Sequence, residues 1–356
     1  MDRTSTWLRG LVASIAAVAS LAVPAGQAAA CSRAVYLGDD DIVVTVRSMD
    51  WVTDLHTNLW VFPRGMARDG AAGEKSARWT SKYGSVAASA FEAATADGMN
   101  EKGLVANLLY LAESEYPALA DAPAGAAVSI SVWAQFVLDT YATVAEAVAD
   151  QTARPLSVAT VMTPDGHAGT VHLAISDPSG DSAIFEYLDG ELVIHHGRQY
   201  QVMTNSPSFD QQLALDAYWQ QIGGLVMLPG TNRAADRFVR ASFYVHAIPQ
   251  TADVDTALAS AFGVIRNVSV PLGISTPGEP NIASTLWRTV SDQKGKRYFF
   301  ESTRSPNVFW VALDDLDFSQ GAAVRRLPLT GGEIYAGDAA AKFEPAQPFA
   351  FLPADD

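Results

Sequence analysis

Residues 31–51 read CSRAVYLGDDDIVVTVRSMDW, and the first of them is the lone cysteine among 356 residues. Ile42–Val46 has the β-branched character of a strand, and the DDD cluster before it reads as a solvated turn. What precedes Cys31 gives it meaning. Residues 1–30 carry Arg3 and Arg9 in a short basic region, an apolar run from Leu11 to Val23, and Ala28-Ala29-Ala30 as a small-residue cleavage site. This is the pattern of a secretory signal peptide, too short in its apolar part for a spanning helix. Its removal makes Cys31 the first residue of a mature chain, 31–356, expected to be a single exported domain in the periplasm or outside the cell.

A lone cysteine makes no intrachain disulfide, so two other chemistries compete for it. Ala-Ala-Ala-Cys is a loose lipobox, which would make Cys31 a lipid anchor. Alternatively, cleavage frees the α-amine of Cys31, whose ordinary pKa of roughly 7.7–8.0 suits a base for the neighbouring thiol. Position alone leaves both open.

Three further blocks follow in order: ADGMNEKGLVANLLYL (Ala96 to Leu111), VMTNSP (Val202 to Pro207) and ADRFVRASFY (Ala235 to Tyr244). With the first stretch they resemble the choloylglycine hydrolase family, the N-terminal-nucleophile cysteine amidases that include penicillin V acylases and bile salt hydrolases. The resemblance implies an α+β fold, an αββα sandwich, with no cofactor. It implies Cys31 as nucleophile and its own amine as proton acceptor, with Arg47 and Asp50 beside them. A guanidinium near sulfur favours thiolate, and a carboxylate favours and orients the ammonium. Asn205 falls where the family has the side-chain donor of an oxyanion hole, Tyr110 where it has a backbone N–H donor, and Arg237 where it has a distal active-site arginine. The family also suggests a homotetramer. Bile salt hydrolases commonly have Gly-Leu-Asn where Leu109-Tyr110 stands here, which favours the acylase side and the cleavage of penicillin V and N-acyl homoserine lactones. Conjugated bile salts are the alternative, and a lipid-anchored periplasmic binding protein is the non-enzyme one.

Taken singly, these residues have plainer readings. Arg47 and Asp50 suit a surface pair, Asn205-Ser206-Pro207 a turn, Tyr110 a core aromatic and Arg237 a helix-surface charge. Side chains three apart on a strand face opposite ways. Arg47 and Asp50 therefore converge on Cys31 only if the strand ends or bulges before Asp50. Among the aromatics, Trp51, Trp60, Tyr110 and Trp133 are candidates to wall an apolar acyl pocket, and Trp51 is favoured for its place beside Asp50.

Residues 31–356 hold 22 basic and 38 acidic side chains, a formal charge of −16. Such a surface argues against nucleic acid or an anionic membrane as partner and leaves a small acyl-amide substrate. Val171–Gly197 reads as three strands broken at Asp-Pro-Ser-Gly and Asp-Gly, and Ser284–Leu313 repeats the style with turns near Gly295 and Ser305-Pro306. Val128–Gln151, with a break near Asp139-Thr140, Asp236–Ile248 and Thr251–Ile265 carry helical spacing. Tyr116–Ala127 reads as a surface loop. The six histidines show no metal-ligand spacing, and His195-His196, on opposite faces of a strand, read as structural.

Overall fold

The computed structural model describes residues 31–274, 283–305 and 307–355. The leader, and with it the cleavage site, lies outside the described residues. Strand β1 (Ser32–Leu37) turns through the DDD cluster into β2 (Val43–Trp51), pairing from Ser32 opposite Ser48 to Leu37 opposite Val43. Asp40 and Asp41 take positive φ in that turn, a conformation Asp tolerates better than bulkier residues. On the far side of β2 lies the strand Ser284–Asp292, and these three form the middle of a seven-stranded sheet.

A nine-stranded sheet faces it, its centre formed by Val171–Ser176, Val105–Tyr110 and Ala94–Asn100. Thr45 bonds Ser176 and Arg47 bonds the Leu108 carbonyl, so the odd-numbered side chains of β2 look into the gap between sheets. Helix α1 (Ile130–Thr140) packs against the other face of the nine-stranded sheet, and α2 (Val144–Ala153) lies against Ser182–Leu188. Helix α3 (Phe209–Ile222) packs on α4 (Ala234–Ala247), and α4 with α5 (Val254–Asn267) covers β1 and β2. The layers run helix, sheet, sheet, helix.

The elements follow from local chemistry. Both hairpins of 171–196 turn where Asp177-Pro178-Ser179-Gly180 and Asp189-Gly190 stand, with Gly180 and Gly190 at positive φ. The break between α1 and α2 falls at Tyr141–Thr143, where Thr143 accepts from the Glu146 N–H and the Glu146 carboxylate reaches back to the Ala142 N–H. One cluster of buried side chains joins Val46, Leu109, Phe238 and Ile265, and a second joins Leu108, Val132, Phe136 and Phe185 under α1 and α2. Each large apolar side chain so buried contributes about 1.5–3 kcal/mol.

Two expectations need correction. The strand read as Ile42–Val46 continues to Trp51, and all of it up to Asp50 is buried. It neither ends nor bulges before Asp50. The irregularity sits in the neighbouring strand, between Thr285 and Trp287. Arg47 and Asp50 do face opposite ways, and the site accommodates this because Cys31 lies just ahead of β1, at the end of the hairpin, where both faces are within reach.

Candidate active site

Cys31 continues the register of β1 to a place across from Met49. Its Sγ lies 3.9 Å from Arg47 Nη2, 3.8 Å from Met49 Sδ and 3.7 Å from the Asp50 carbonyl oxygen. Arg47 is held by the Leu108 carbonyl at 2.9 Å and by the face of Trp287, 4.6 Å away. Cys31 is only 2% exposed. Burial pushes its thiol pKa up, the Arg47 charge pulls it down, and burial wins. Sulfur in this setting keeps its proton until a base takes it.

The helix-side face of the hairpin carries the other groups. Asp50 accepts from Thr285 Oγ1 at 2.5 Å through Oδ1, while Oδ2 has no hydrogen-bond partner among the described residues. Burial raises the Asp50 carboxyl to about 6 against the opposing pull of Arg237, Thr285 and Arg47. Arg237, on α4, spans the centre. Its Nη1 donates to the Cys31 carbonyl at 2.5 Å and to Ser32 Oγ at 2.6 Å, and its Nη2 to Asn205 Oδ1 at 2.7 Å. A guanidinium only donates, so this bond fixes which end of the Asn205 amide is oxygen. Asn205 Nδ2 is thereby aimed the other way, 2.7 Å from the Tyr110 carbonyl oxygen.

Tyr110 sits opposite Val171, whose N–H and C=O are both engaged by the Tyr116 hydroxyl, while Leu111 N–H takes the Thr170 carbonyl. Tyr110 and Val171 are therefore a non-hydrogen-bonded pair, and the Tyr110 N–H points away from that strand. The turn carrying Asn205 is fixed from beneath. His172 bridges Glu186 at 2.9 Å and the Thr204 carbonyl at 2.8 Å, Glu186 accepts the Phe209 N–H that opens α3, and Gln212 binds the Asn205 carbonyl. No spacing rule points to His172 or Glu186, because they act on main-chain atoms more than twenty residues away in sequence.

The sulfur faces an apolar cavity of about 100 Å³, between sheet ends, walled by Trp51, Leu55, Tyr110 and Val161 among others. Trp51 and Tyr110 meet edge to face at 6.2 Å. Trp60 and Trp133 are elsewhere: Trp60 stacks on Phe62 and Trp133 packs on Tyr187, both as core aromatics. A roomier hollow of about 560 Å³ between α3 and α4, beside Trp219 and Phe243, touches none of the residues around the sulfur. The Trp51 indole is pinned by Asp165, whose Oδ2 accepts from Trp51 Nε1 and Thr53 Oγ1, each at 2.7 Å. Partial burial would raise the Asp165 carboxyl, but hydrogen bonds from Thr163, Thr53 and Trp51 bring it down to about 2. Asp165 lies more than a hundred residues from Trp51, beyond any local signal.

His195 packs against Phe209 and His196 bonds Asp181, on opposite faces of their strand. Among the described residues no group of three His, Cys, Asp or Glu is placed to hold a metal ion, and no helix is long and apolar enough to cross a membrane.

The arrangement puts a buried thiol, a guanidinium and an oriented amide donor at the head of an apolar pocket, a layout suited to acyl transfer. Comparison with known proteins agrees. A profile of the linear amide C–N hydrolases of the choloylglycine hydrolase family matches residues 31–324. The chain is 53% identical to a penicillin V acylase from Pectobacterium atrosepticum, covering 95% of this chain and 96% of that one. The structure of penicillin V acylase from Agrobacterium tumefaciens superposes with a TM-score of 0.84 at 58% identity, covering 90% of this chain and 99% of that one. A mutant conjugated bile acid hydrolase from Clostridium perfringens shares the fold, with a TM-score of 0.72 at 20% identity over 84% of this chain and 97% of that one. The chain therefore belongs to the choloylglycine hydrolase family, N-terminal-nucleophile amidases of linear amides, and within it resembles the penicillin V acylases.

Proposed function

We propose that the mature protein, exported and beginning at a free Cys31, hydrolyses penicillin V and N-acyl homoserine lactones through an acyl-enzyme. The observation that carries this is Cys31 Sγ at the head of an apolar pocket, with the Asn205 amide oriented by Arg237. The Cys31 α-amine takes the thiol proton. The thiolate forms a C–S bond to the amide carbonyl, and the oxyanion is held by Asn205 Nδ2 and the Tyr110 N–H. The ammonium returns the proton to the leaving nitrogen as the C–N bond breaks, and water then hydrolyses the thioester. Asp50 Oδ2, which no described residue hydrogen-bonds, supports a place for the ammonium on the helix side, and the Arg47 charge offsets the cost of the thiolate.

Substrate preference follows from the same surroundings. An apolar pocket gains about 0.8 kcal/mol per buried methylene. A protein of formal charge −16 over residues 31–356 gives little to an anionic leaving group. Phenoxyacetyl and medium to long fatty acyl groups are favoured, and a neutral lactone is a better leaving part than a taurine or glycine conjugate. The test is kcat/KM for penicillin V, a homoserine lactone series, glycocholate and taurocholate at one pH and ionic strength. Penicillin V is expected to turn over, the lactones to improve with chain length, and the bile salts to trail. Bile salts leading by tenfold would overturn the assignment in favour of a bile salt hydrolase. N-terminal sequencing and intact mass examine the processing: Ala30 retained, or a diacylglyceryl adduct, removes the amine as base.

The Asp50 carboxyl gives a pH signature. Burial sets it at about 6, and the ionised form is the one that holds the ammonium, so kcat/KM falls as pH drops through about 6. Asp50→Asn is expected to be slow at every pH and to lose that limb. A pH profile of the variant that keeps the same acid limb assigns it to another group.

The segment joining α3 to α4 exposes Leu225, Val226 and Met227 side by side. This apolar triplet supports a homo-oligomer, of which the tetramer is the family's form. Sedimentation equilibrium reading the monomer mass of a single chain would refute it.

A further inference from the structure

We propose that Leu352, in the segment Phe351–Asp355, sets the length of acyl chain that the pocket beside Cys31 accepts, an inference that rests on reading this cavity as the acyl site. Cys31 belongs to the buried cluster that extends from the gap between the sheets to α4 and α5, whereas Leu352 packs against the cluster under α1, on the opposite face of the nine-stranded sheet. Both line one cavity. The cavity therefore runs from the sulfur across the ends of the strands to the helix layer, and Leu352 stands with Ile130 at the end distant from the nucleophile.

That end is built rather than draped. The Leu352 N–H donates to the Ala93 carbonyl at 2.9 Å, and the Leu352 carbonyl accepts from Ser129 Oγ at 2.8 Å and Ser131 Oγ at 2.7 Å. Beyond it the Ala354 N–H bonds the Ala71 carbonyl and the Asp355 N–H the Thr160 carbonyl. Five hydrogen bonds thus fix the backbone against the segments that line the cavity, and only the Leu352 side chain decides how far the space extends. On one side wall a Cβ on Gly169 would stand 2.4 Å from Ile130 Cδ1, so it is glycine at 169 that lets the 160–170 segment lie this close to the start of α1. Leu352 itself is only partly buried. Shortening it opens the pocket outward, and enlarging it shortens the pocket.

The test uses straight-chain N-acyl p-nitroanilides, from acetyl to tetradecanoyl, with the mature protein and its Leu352→Ala and Leu352→Trp variants. The readout is the ratio of kcat/KM for long and short chains within one preparation, from which any loss of folded protein cancels. Leu352→Ala should move the optimum two or three carbons longer, each newly admitted methylene adding about fourfold to the ratio. Leu352→Trp should lower the long-to-short ratio by more than tenfold. An optimum that stays in place in both variants overturns the proposal while leaving the acyl pocket intact. A wild-type protein that cleaves every chain at the same rate overturns the acyl-pocket reading itself.

Discussion

Cys31→Ser is expected to fold as the parent does and to lose turnover by at least about 10³-fold. A nucleophile removed from a covalent mechanism leaves only the contribution of binding and charge stabilisation. The structural cost is small, because Sγ makes only long contacts, to Met49 Sδ, the Asp50 carbonyl and Arg47. The chemical cost is large. Burial already holds the thiol above its ordinary pKa, and the same pocket would have to ionise a hydroxyl, a far weaker acid. Thermal melting and kcat measured on one preparation separate the two effects. A folded serine variant with near-parental turnover would remove Cys31 from the mechanism.

Asn205→Ala is expected to lower kcat by about 10²–10³-fold and to move KM much less, since the oxyanion it serves exists only in the transition state. The structure adds a second consequence. Asn205 links the guanidinium of Arg237 to the carbonyl of Tyr110, and its removal leaves a buried donor and a partly buried acceptor unpaired. That costs about 1–3 kcal/mol for each group left unsatisfied, which lowers the melting temperature alongside the rate. The opposite kinetic split, with KM raised and kcat kept, would make Asn205 a residue of substrate binding.

Much of this architecture is legible in the sequence wherever a local rule acts alone. Asp177-Pro178-Ser179-Gly180 and Asp189-Gly190 announce their hairpins, and the apolar spacing of α4 and α5 announces helices close to those observed. Legibility fails where tertiary burial overrides local pattern. On helix α3, Phe209, Leu213 and Trp219 line the hollow shared with α4 while Leu215 and Tyr218 stand exposed on other sides, so no single stripe marks it. The β-branched run marks β2 only over Ile42–Val46, and the strand runs on to Trp51. It continues because Arg47 and Asp50 are buried in opposite layers, each with partners of its own. The site is legible only as a set of motifs matching a family. Nothing in the spacing of Asn205 and Arg237 says that they touch, and neither Leu352 nor Asp165 carries a local signature of its place on the pocket.

The division of labour between layers has a practical side. Groups that meet the nucleophile's main chain and the carboxylate come from β1, α4 and the strand Ser284–Asp292, whereas the distant part of the pocket comes from α1, the 160–170 segment and Leu352. A library confined to the second group would vary what the enzyme recognises while leaving Arg237 and the residues that hold it unmutated. Directed evolution of new acylase specificities on this scaffold can therefore begin at positions 130, 161 and 352, on the opposite side of the nine-stranded sheet from the sulfur.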